Sequence, residues 1–388
     1  MPVRGLLMVA LAFVLVLPVA AQAQATGARA IDTDDDGLTD RFEKAWGLTS
    51  AERRDTDRDG IVDSVEDEDG DKLGNLGEQR FGTDPGDPDS DDDGILDGDE
   101  DSDGDGRTDA QEQDQRPVPP ELRRTLATAG DDTNGVNAWC GVLEGRSELR
   151  HCRFGDPGAD TRVVLMGDSH AHALLLPFKR AATQEGWLVE TAIKGGCLPW
   201  LGIENGLQQR LDRGQSCRTW KQNAIDWLNG LEPPPDLVVI TSSDRYALAR
   251  RNGTIYDKRT WPRRWESAVE RTVAALPDGT AALVLGDVPH NSGDPVRCLQ
   301  ADPSDISACA YRRQDPAERV IAKAQRAGAE AAGAAFGTLN EAICTYDPCP
   351  LIHHDAHVWR DRSHLTGTIS GPLTPTQQQL QRDAHPKD

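Results

Sequence analysis

The chain contains no Cys-x-x-Cys pair, no excess of basic residues and, after its first twenty positions, no apolar run long enough to cross a bilayer. The first absence argues against a structural zinc site, which is usually assembled from closely spaced thiolates. The second argues against nucleic acid as a partner, because that affinity rests on neutralising phosphates with Lys and Arg. The third leaves only the amino terminus as a membrane-active segment. There Arg4 precedes an apolar run over 6–20 and the small-residue stretch Ala-Gln-Ala-Gln-Ala over 21–25. A bilayer span needs about 20 apolar residues, so residues 1–25 are expected to be a signal peptide cleaved near Ala23 or Ala25. The mature protein is then expected to be secreted, periplasmic or at the cell surface.

No cysteine occurs before position 140, and the eight that follow are Cys140, Cys152, Cys197, Cys217, Cys298, Cys309, Cys344 and Cys349. An even count in an exported chain favours disulfides over free thiols. Eight cysteines allow 105 pairings, but their grouping in close pairs favours neighbours: 140 with 152, 197 with 217, 298 with 309, 344 with 349.

The formal charge of −23 belongs to one segment. Residues 31–115 hold 32 Asp and Glu against 8 Lys and Arg, which leaves the rest of the chain near neutrality. Aligned on its aspartates, the segment repeats D-x-D-x-D-G-x-x-D-x-x-E. One copy uses Asp32, Asp34, Asp36, Gly37, Asp40 and Glu43, and the next uses Asp55, Asp57, Asp59, Gly60, Asp63 and Glu66. Two more use Asp89, Asp91, Asp93, Gly94, Asp97 and Glu100, then Asp101, Asp103, Asp105, Gly106, Asp109 and Glu112. Another, with Asp67, Asp69, Asp71, Asn75 and Glu78, carries Lys72 where glycine is expected and is suspect as a tight turn.

This is the spacing with which a loop wraps calcium: carboxylates at positions 1, 3 and 5, a carbonyl at 7, position 9 often through water, and a bidentate glutamate at 12. Glycine at position 6 allows the sharp bend. Copies that start 12 residues apart leave no room for an intervening helix, so paired EF-hands are excluded for them. Adjacent loops of this kind, with Gly-Thr-Asp-Pro at 82–85, resemble thrombospondin type 3 repeats, and the resemblance implies structural calcium as the cofactor of the segment. The competing reading is an acidic disordered tail, since so many like charges repel. With few core residues of its own, the segment is expected to be a calcium-stiffened spacer or attachment module. Calcium removal is expected to disorder it and leave the remainder's chemistry largely intact. Residues 116–135, with Pro117, Pro119 and Pro120 and no periodic apolar pattern, are expected to be a linker.

From 136 to 380 short apolar runs alternate with amphipathic stretches, the pattern of a parallel sheet built from βαβ units. Strands are expected at 162–166, 187–193, 236–240 and 281–286, with a fifth after 336. Helices are expected at 171–184, 208–228, 260–275 and 316–335. The length suits one three-layer α/β domain, whose site should lie beyond the carboxyl ends of its strands.

The first of those strands runs Val163-Val164-Leu165-Met166 and breaks at Gly167-Asp168-Ser169-His170. A serine delivered there is a candidate nucleophile, but it needs a base to take its proton and a carboxylate to fix the tautomer of that base. Asp361 and His364, three apart near the end of the chain, can share one turn. Asp168 is expected to anchor the turn, and His170 and His172 to cap, pack or contact ligand. Trp200 is a candidate either for stacking on a sugar or for the core.

Gly167-Asp168-Ser169-His170-Ala171, Lys194-Gly195-Gly196-Cys197-Leu198-Pro199 and the late Asp361 to His364 motif resemble the SGNH (GDSL-like) hydrolases. They are most similar to the extracytoplasmic SGNH domains attached to membrane O-acyltransferases of bacterial polysaccharide and peptidoglycan. The resemblance implies a three-layer αβα domain with a mostly parallel sheet. It also implies a Ser169–His364–Asp361 triad that needs no catalytic cofactor, and an oxyanion hole from the amides of Ser169 and Gly195 or Gly196. The family's third block supplies an asparagine; here the matching stretch ends Thr241-Ser242-Ser243-Asp244-Arg245, and Ser243 or a nearby amide must substitute. The implied activity is that of a serine esterase or O-acyltransferase acting on acyl, most simply acetyl, groups of cell-envelope or extracellular carbohydrate. Its partners are the acylated carbohydrate, calcium, and a membrane acyltransferase or cell-surface component as a separate chain. The alternative is a calcium-dependent surface or adhesion protein whose SGNH-like domain binds glycan without turnover.

Overall fold

The computed structural model describes residues 31–133, 140–142, 145–206, 214–310, 316–346, 348–353 and 356–384. The expected signal peptide lies outside the described residues. Seven strands form the central sheet: β1 (Gly141–Val142), β2 (Arg153–Gly155), β3 (Arg162–Gly167), β4 (Leu188–Lys194), β5 (Leu237–Thr241), β6 (Ala281–Leu285) and β7 (Ala335–Gly337). Their order is β1-β4-β3-β5-β6-β7, every neighbouring pair parallel, with β2 antiparallel to β4.

The strands read as unbroken apolar runs because both faces of the sheet are covered. Val163 and Leu165 point into one apolar cluster with Leu175 and Phe178, and Val164 and Met166 into another with Trp220, Trp265 and Val269. The first cluster is closed by helices Leu175–Gln184 and Thr374–Ala384, the second by Gly214–Asn229, Trp261–Val273 and Pro316–Ala331. The result is the three-layer α/β architecture. Trp200 belongs to the second cluster; it is wholly buried, with its indole N–H donating to Ser242 Oγ at 2.8 Å, so it is a core residue. Four disulfides join Cys140 to Cys152, Cys197 to Cys217, Cys298 to Cys309 and Cys344 to Cys349. They fit a protein exported to an oxidising compartment. No helix among the described residues is long and apolar enough to cross a membrane.

The acidic segment is a chain of regular loops. In each, the amide at position 6 donates to the carboxylate at position 1: Gly37 to Asp32, Gly60 to Asp55, Lys72 to Asp67, Gly94 to Asp89 and Gly106 to Asp101. The glycines at position 6 have φ of 93–108°, and Lys72 takes the same bend at 88°. The Lys72 copy therefore keeps the loop geometry despite its side chain, at a cost of about 1–3 kcal/mol in backbone strain. Helices Asp40–Trp46 and Asn75–Phe81 occupy the longer intervals, whereas the 12-residue steps hold only the short turns Asp63–Val65 and Asp97–Asp99.

Two expectations need correction. The expected linker at 116–135 is not free over its described residues, 116–133: Pro120–Leu126 is a helix, and Val118, Leu122, Leu126 and Ala129 are buried in the same cluster as Phe178. Proline at the first helical position sacrifices no hydrogen bond, and Leu122 and Leu126 share one face. Seven residues, about two turns, are too few to show a period in sequence. The acidic segment is also not an isolated spacer. Val62 and Val65 close a small core with Tyr346, whose hydroxyl donates to Asp114 at 2.8 Å. Val118 N–H bonds Pro303 O, and Ile306 N–H bonds Arg116 O, both at 2.9 Å.

Candidate active site

The carboxyl ends of four adjacent strands supply the site. At the end of β3, Gly167 lets the chain pass its neighbour, since a Cβ there would lie 2.1 Å from Thr241 O and 2.6 Å from the Ala171 Cβ. Asp168 then caps the short helix Ser169–Ala173, accepting from His170 N at 2.9 Å and reaching across the sheet to Ser243 N at 3.1 Å. Full burial pushes its carboxyl up to about 6 against these hydrogen bonds and the charge of His170. Ser169 thus sits at a helix start on a turn that two buried hydrogen bonds fix.

Across the site, Asp361 binds the amides of Ser363 and His364, both at 2.9 Å, and closes the turn that carries the imidazole. His364 Nδ1 lies 2.8 Å from Asp361 Oδ2, and His364 Nε2 lies 2.9 Å from Ser169 Oγ. The three residues meet in the order acid, imidazole, hydroxyl, with the His364 side chain 19% exposed and so reachable from solvent. Partial burial would raise the Asp361 carboxyl, but the hydrogen bond and charge of His364 outweigh it and hold the group well below the usual range. His364 is itself held below its usual value, by burial first and by the neighbouring charge of His170, against the pull of Asp361. A neutral imidazole hydrogen-bonded to a serine can act as general base.

The turn after β4 is closed by Cys197 N–H to Lys194 O at 3.1 Å, with Gly196 at φ 67° as a type II turn requires of its third residue. Gly195 is open, with nothing within 4 Å of where a Cβ would stand. The amide of Ser243, one of the expected substitutes for asparagine, is committed to Asp168, which leaves its hydroxyl. Tyr246, from the same loop, was not foreseen: its phenol interacts with the Ser169 side chain, and burial, with the charges of Asp168 and Asp287, pushes it well above the ordinary tyrosine range. It therefore stays protonated beside Ser169.

Asp287, just past the end of β6, and His290 were also missed. Asp287 receives His170 Nδ1 at 2.5 Å and His290 Nε2 at 2.7 Å. Its place beyond a strand carboxyl end was the available signal. A cavity of about 420 Å³ lined by Leu122, Thr128, Asp132 and His357 contains none of these residues.

Fold and site together define an α/β protein with a serine, an imidazole and a carboxylate in line at the carboxyl edge of a parallel sheet. Residues 139–376 match the SGNH domain of the type fused to AT3 domains, more than half of the chain, and the chain belongs to that family of hydrolase and acyltransferase domains. Among solved structures it is similar to the periplasmic domain of the Salmonella ser. Paratyphi A lipopolysaccharide acetyltransferase, with 15% identity, TM-score 0.46, and 67% of this chain and 97% of that one covered. It is also similar to an extracellular lipase from Streptomyces rimosus, with 14% identity, TM-score 0.31, and 58% and 99% covered. No curated protein matches the chain at a significant level.

Proposed function

We propose that this protein is an exported serine esterase or O-acyltransferase acting on acetyl or similar acyl groups of cell-envelope or extracellular carbohydrate. The observation that carries the reading is the 2.9 Å contact between His364 Nε2 and Ser169 Oγ, with Asp361 on the far nitrogen. Ser169 Oγ attacks the ester carbonyl as His364 Nε2 takes its proton. The tetrahedral oxyanion is held by the amides of Ser169 and of Gly195 or Gly196, with the Tyr246 phenol and the Ser243 hydroxyl as the side-chain donors of the third block. His364 returns the proton to the departing sugar oxygen, leaving the acyl group on Ser169. Water or a second hydroxyl then attacks, with His364 again as base.

The acidic segment binds calcium in this reading. Asp32, Asp34 and Asp36 bring ligand oxygens within 4.8 Å of one another, as do Asp55, Asp57 and Asp59, and Asp67, Asp69 and Asp71. Oxygens of Asp32, Asp34, Asp36, Glu43, Asp69, Asn75 and Glu78 are buried without a hydrogen-bond partner. Buried carboxylate oxygens in that state are costly unless a cation faces them, so the residues fit a hard divalent ion. Position 9 has a different role from the one its spacing suggests: Asp40, Asp63, Asp97 and Asp109 each bind both N–H and O–H of the Thr or Ser at position 2, tying the loop shut. Asp36 and Glu43 instead meet Asp63 of the following loop.

Hydrolysis of an aryl acetate by the secreted protein, compared with Ser169→Ala, tests the enzyme reading. Activity lost in the variant supports it. Equal rates remove Ser169 from the mechanism and favour a glycan-binding module without turnover.

A further inference from the structure

Behind His364 stands a second acid–imidazole arrangement that the triad does not use. Asp287 accepts four hydrogen bonds, from His170 Nδ1 and Val288 N on one oxygen and from His290 Nε2 and Asp244 N on the other, at 2.5, 2.9, 2.7 and 2.9 Å. Its side chain and those of His170 and His290 are at most 5% exposed. A buried carboxylate whose acceptor sites are all filled stays ionised and calls for a buried positive charge. Among the described residues its ion-pair partners are these two histidines. His170 is the better placed to hold the proton, because Asp168 and Asp361 add their charges to that of Asp287 around it. Its ring packs against His290 at 5.2 Å and against His364 at 4.6 Å. The same loop reaches the catalytic turn directly, with Asn291 N–H donating to Arg362 O at 2.9 Å.

We propose that the Asp287–His170 ion pair, braced by His290, positions His364 and keeps it neutral, so that it serves as a base at lower pH than an isolated imidazole would. The charged groups facing His364 are Asp361, His170 and Arg360, and those facing His170 are Asp287, Asp168 and Asp361. A fixed imidazolium beside His364 disfavours a second proton there, and like charges at this range shift titration by about one unit or more. Asp361, on the other nitrogen, pulls the opposite way. Without His170 that pull is opposed only by burial and by the charge of Arg360.

Asp287, His170 and His290 also make a possible metal set by residue type. Their N···O separations of 2.5 and 2.7 Å are hydrogen-bond lengths, whereas two tetrahedral ligands about 2.0 Å from one zinc would stand roughly 3.3 Å apart. The geometry is that of a clamped ion pair.

The inference rests on the catalytic reading of Ser169, His364 and Asp361, and its test does not need turnover. Nitrogen-15 NMR of the imidazoles in the full chain should show His170 with both nitrogens protonated at neutral pH while His364 is neutral. In His170→Gln, His364 should titrate about one unit higher, and the acid limb of the kcat/KM profile for an aryl acetate should move with it. A neutral His170 in the wild-type spectrum overturns the proposal without any variant, as does a His364 titration unchanged in a folded His170→Gln protein. A protein with these NMR properties and no Ser169-dependent turnover would instead overturn the proposed function alone.

Discussion

His364 Nε2 lies 2.9 Å from Ser169 Oγ across a separation of 195 residues. The contact exists because β3 and the 361–364 turn are each fixed locally by a buried or partly buried aspartate that binds backbone amides, Asp168 on one side and Asp361 on the other.

The double duty of Asp361 makes Asp361→Asn informative. An asparagine oxygen can still accept from the amides of Ser363 and His364, so the turn should keep its shape. Its NH₂ would then face His364 Nδ1, forcing the proton onto Nε2, where it blocks transfer from Ser169. The expected result is a fall in kcat of about 10⁴-fold with an unchanged melting temperature. A variant within tenfold of wild type on an aryl acetate would show that the tautomer of His364 is not set by this carboxylate.

Tyr246 gives a separate prediction. If its phenol does the work of the absent asparagine, Tyr246→Phe removes a donor made for the transition state and leaves the aromatic packing. The expected loss is about 10²–10³ in kcat with little change in KM. A rise in KM alone would assign the phenol to substrate binding.

Much of this site was legible because its parts sit where chain geometry is simplest. Apolar runs buried on both faces mark β3 to β6, and a Gly-Asp-Ser turn or an Asp-x-x-His spacing is a local signal. Asp287 offered only its place past a strand end, and Tyr246 no signal: each matters because the sheet order sets β5 beside β3 and β6 beside β5, a fact of pairing and not of spacing. The helix Pro120–Leu126 was hidden by its prolines, and the edge strands β1 and β2 by their two- and three-residue lengths. In the acidic segment the loop residues were plain from their period. The role of position 9 was not, because the Thr or Ser that it binds looks like an ordinary polar filler.

The His170–Asp287 pair also predicts how stability depends on pH. The His170 imidazole would be lowered by burial, but Asp287 outweighs this and raises it from 6.5 to about 9, while Asp287 is held well below its usual range. A group raised on folding contributes stability that is complete below its unfolded value and lost as pH rises through its folded one. The pair should therefore stabilise fully at about pH 6 and progressively less toward about pH 9. Wild type should lose more melting temperature over that window than His170→Gln. Parallel curves would mean that His170 enters the folded state uncharged.

Calcium removal should reach beyond the acidic loops. Loop Asp55 to Glu66 lies on the segment just after the 361–364 turn, where a Cβ at Gly60 would stand only 3.2 Å from Pro372 O and 3.5 Å from Pro375. Tyr346 packs on Val62 and Val65, and a Cβ at Gly74 would stand 2.9 Å from its ring. Without a cation, the buried carboxylates of Asp36 and Glu43 repel each other and Asp63, and Glu78 repels Asp69 and Asp71, which favours opening of the loops. Opening exposes Val62, Val65 and one side of Tyr346, and it removes the contact on Pro372 and Pro375. A chelator is therefore expected to lower the melting temperature of the whole chain in one transition and to reduce turnover, both restored by calcium. Two separate transitions, with turnover unchanged after the first, would return the acidic segment to the role of an independent spacer.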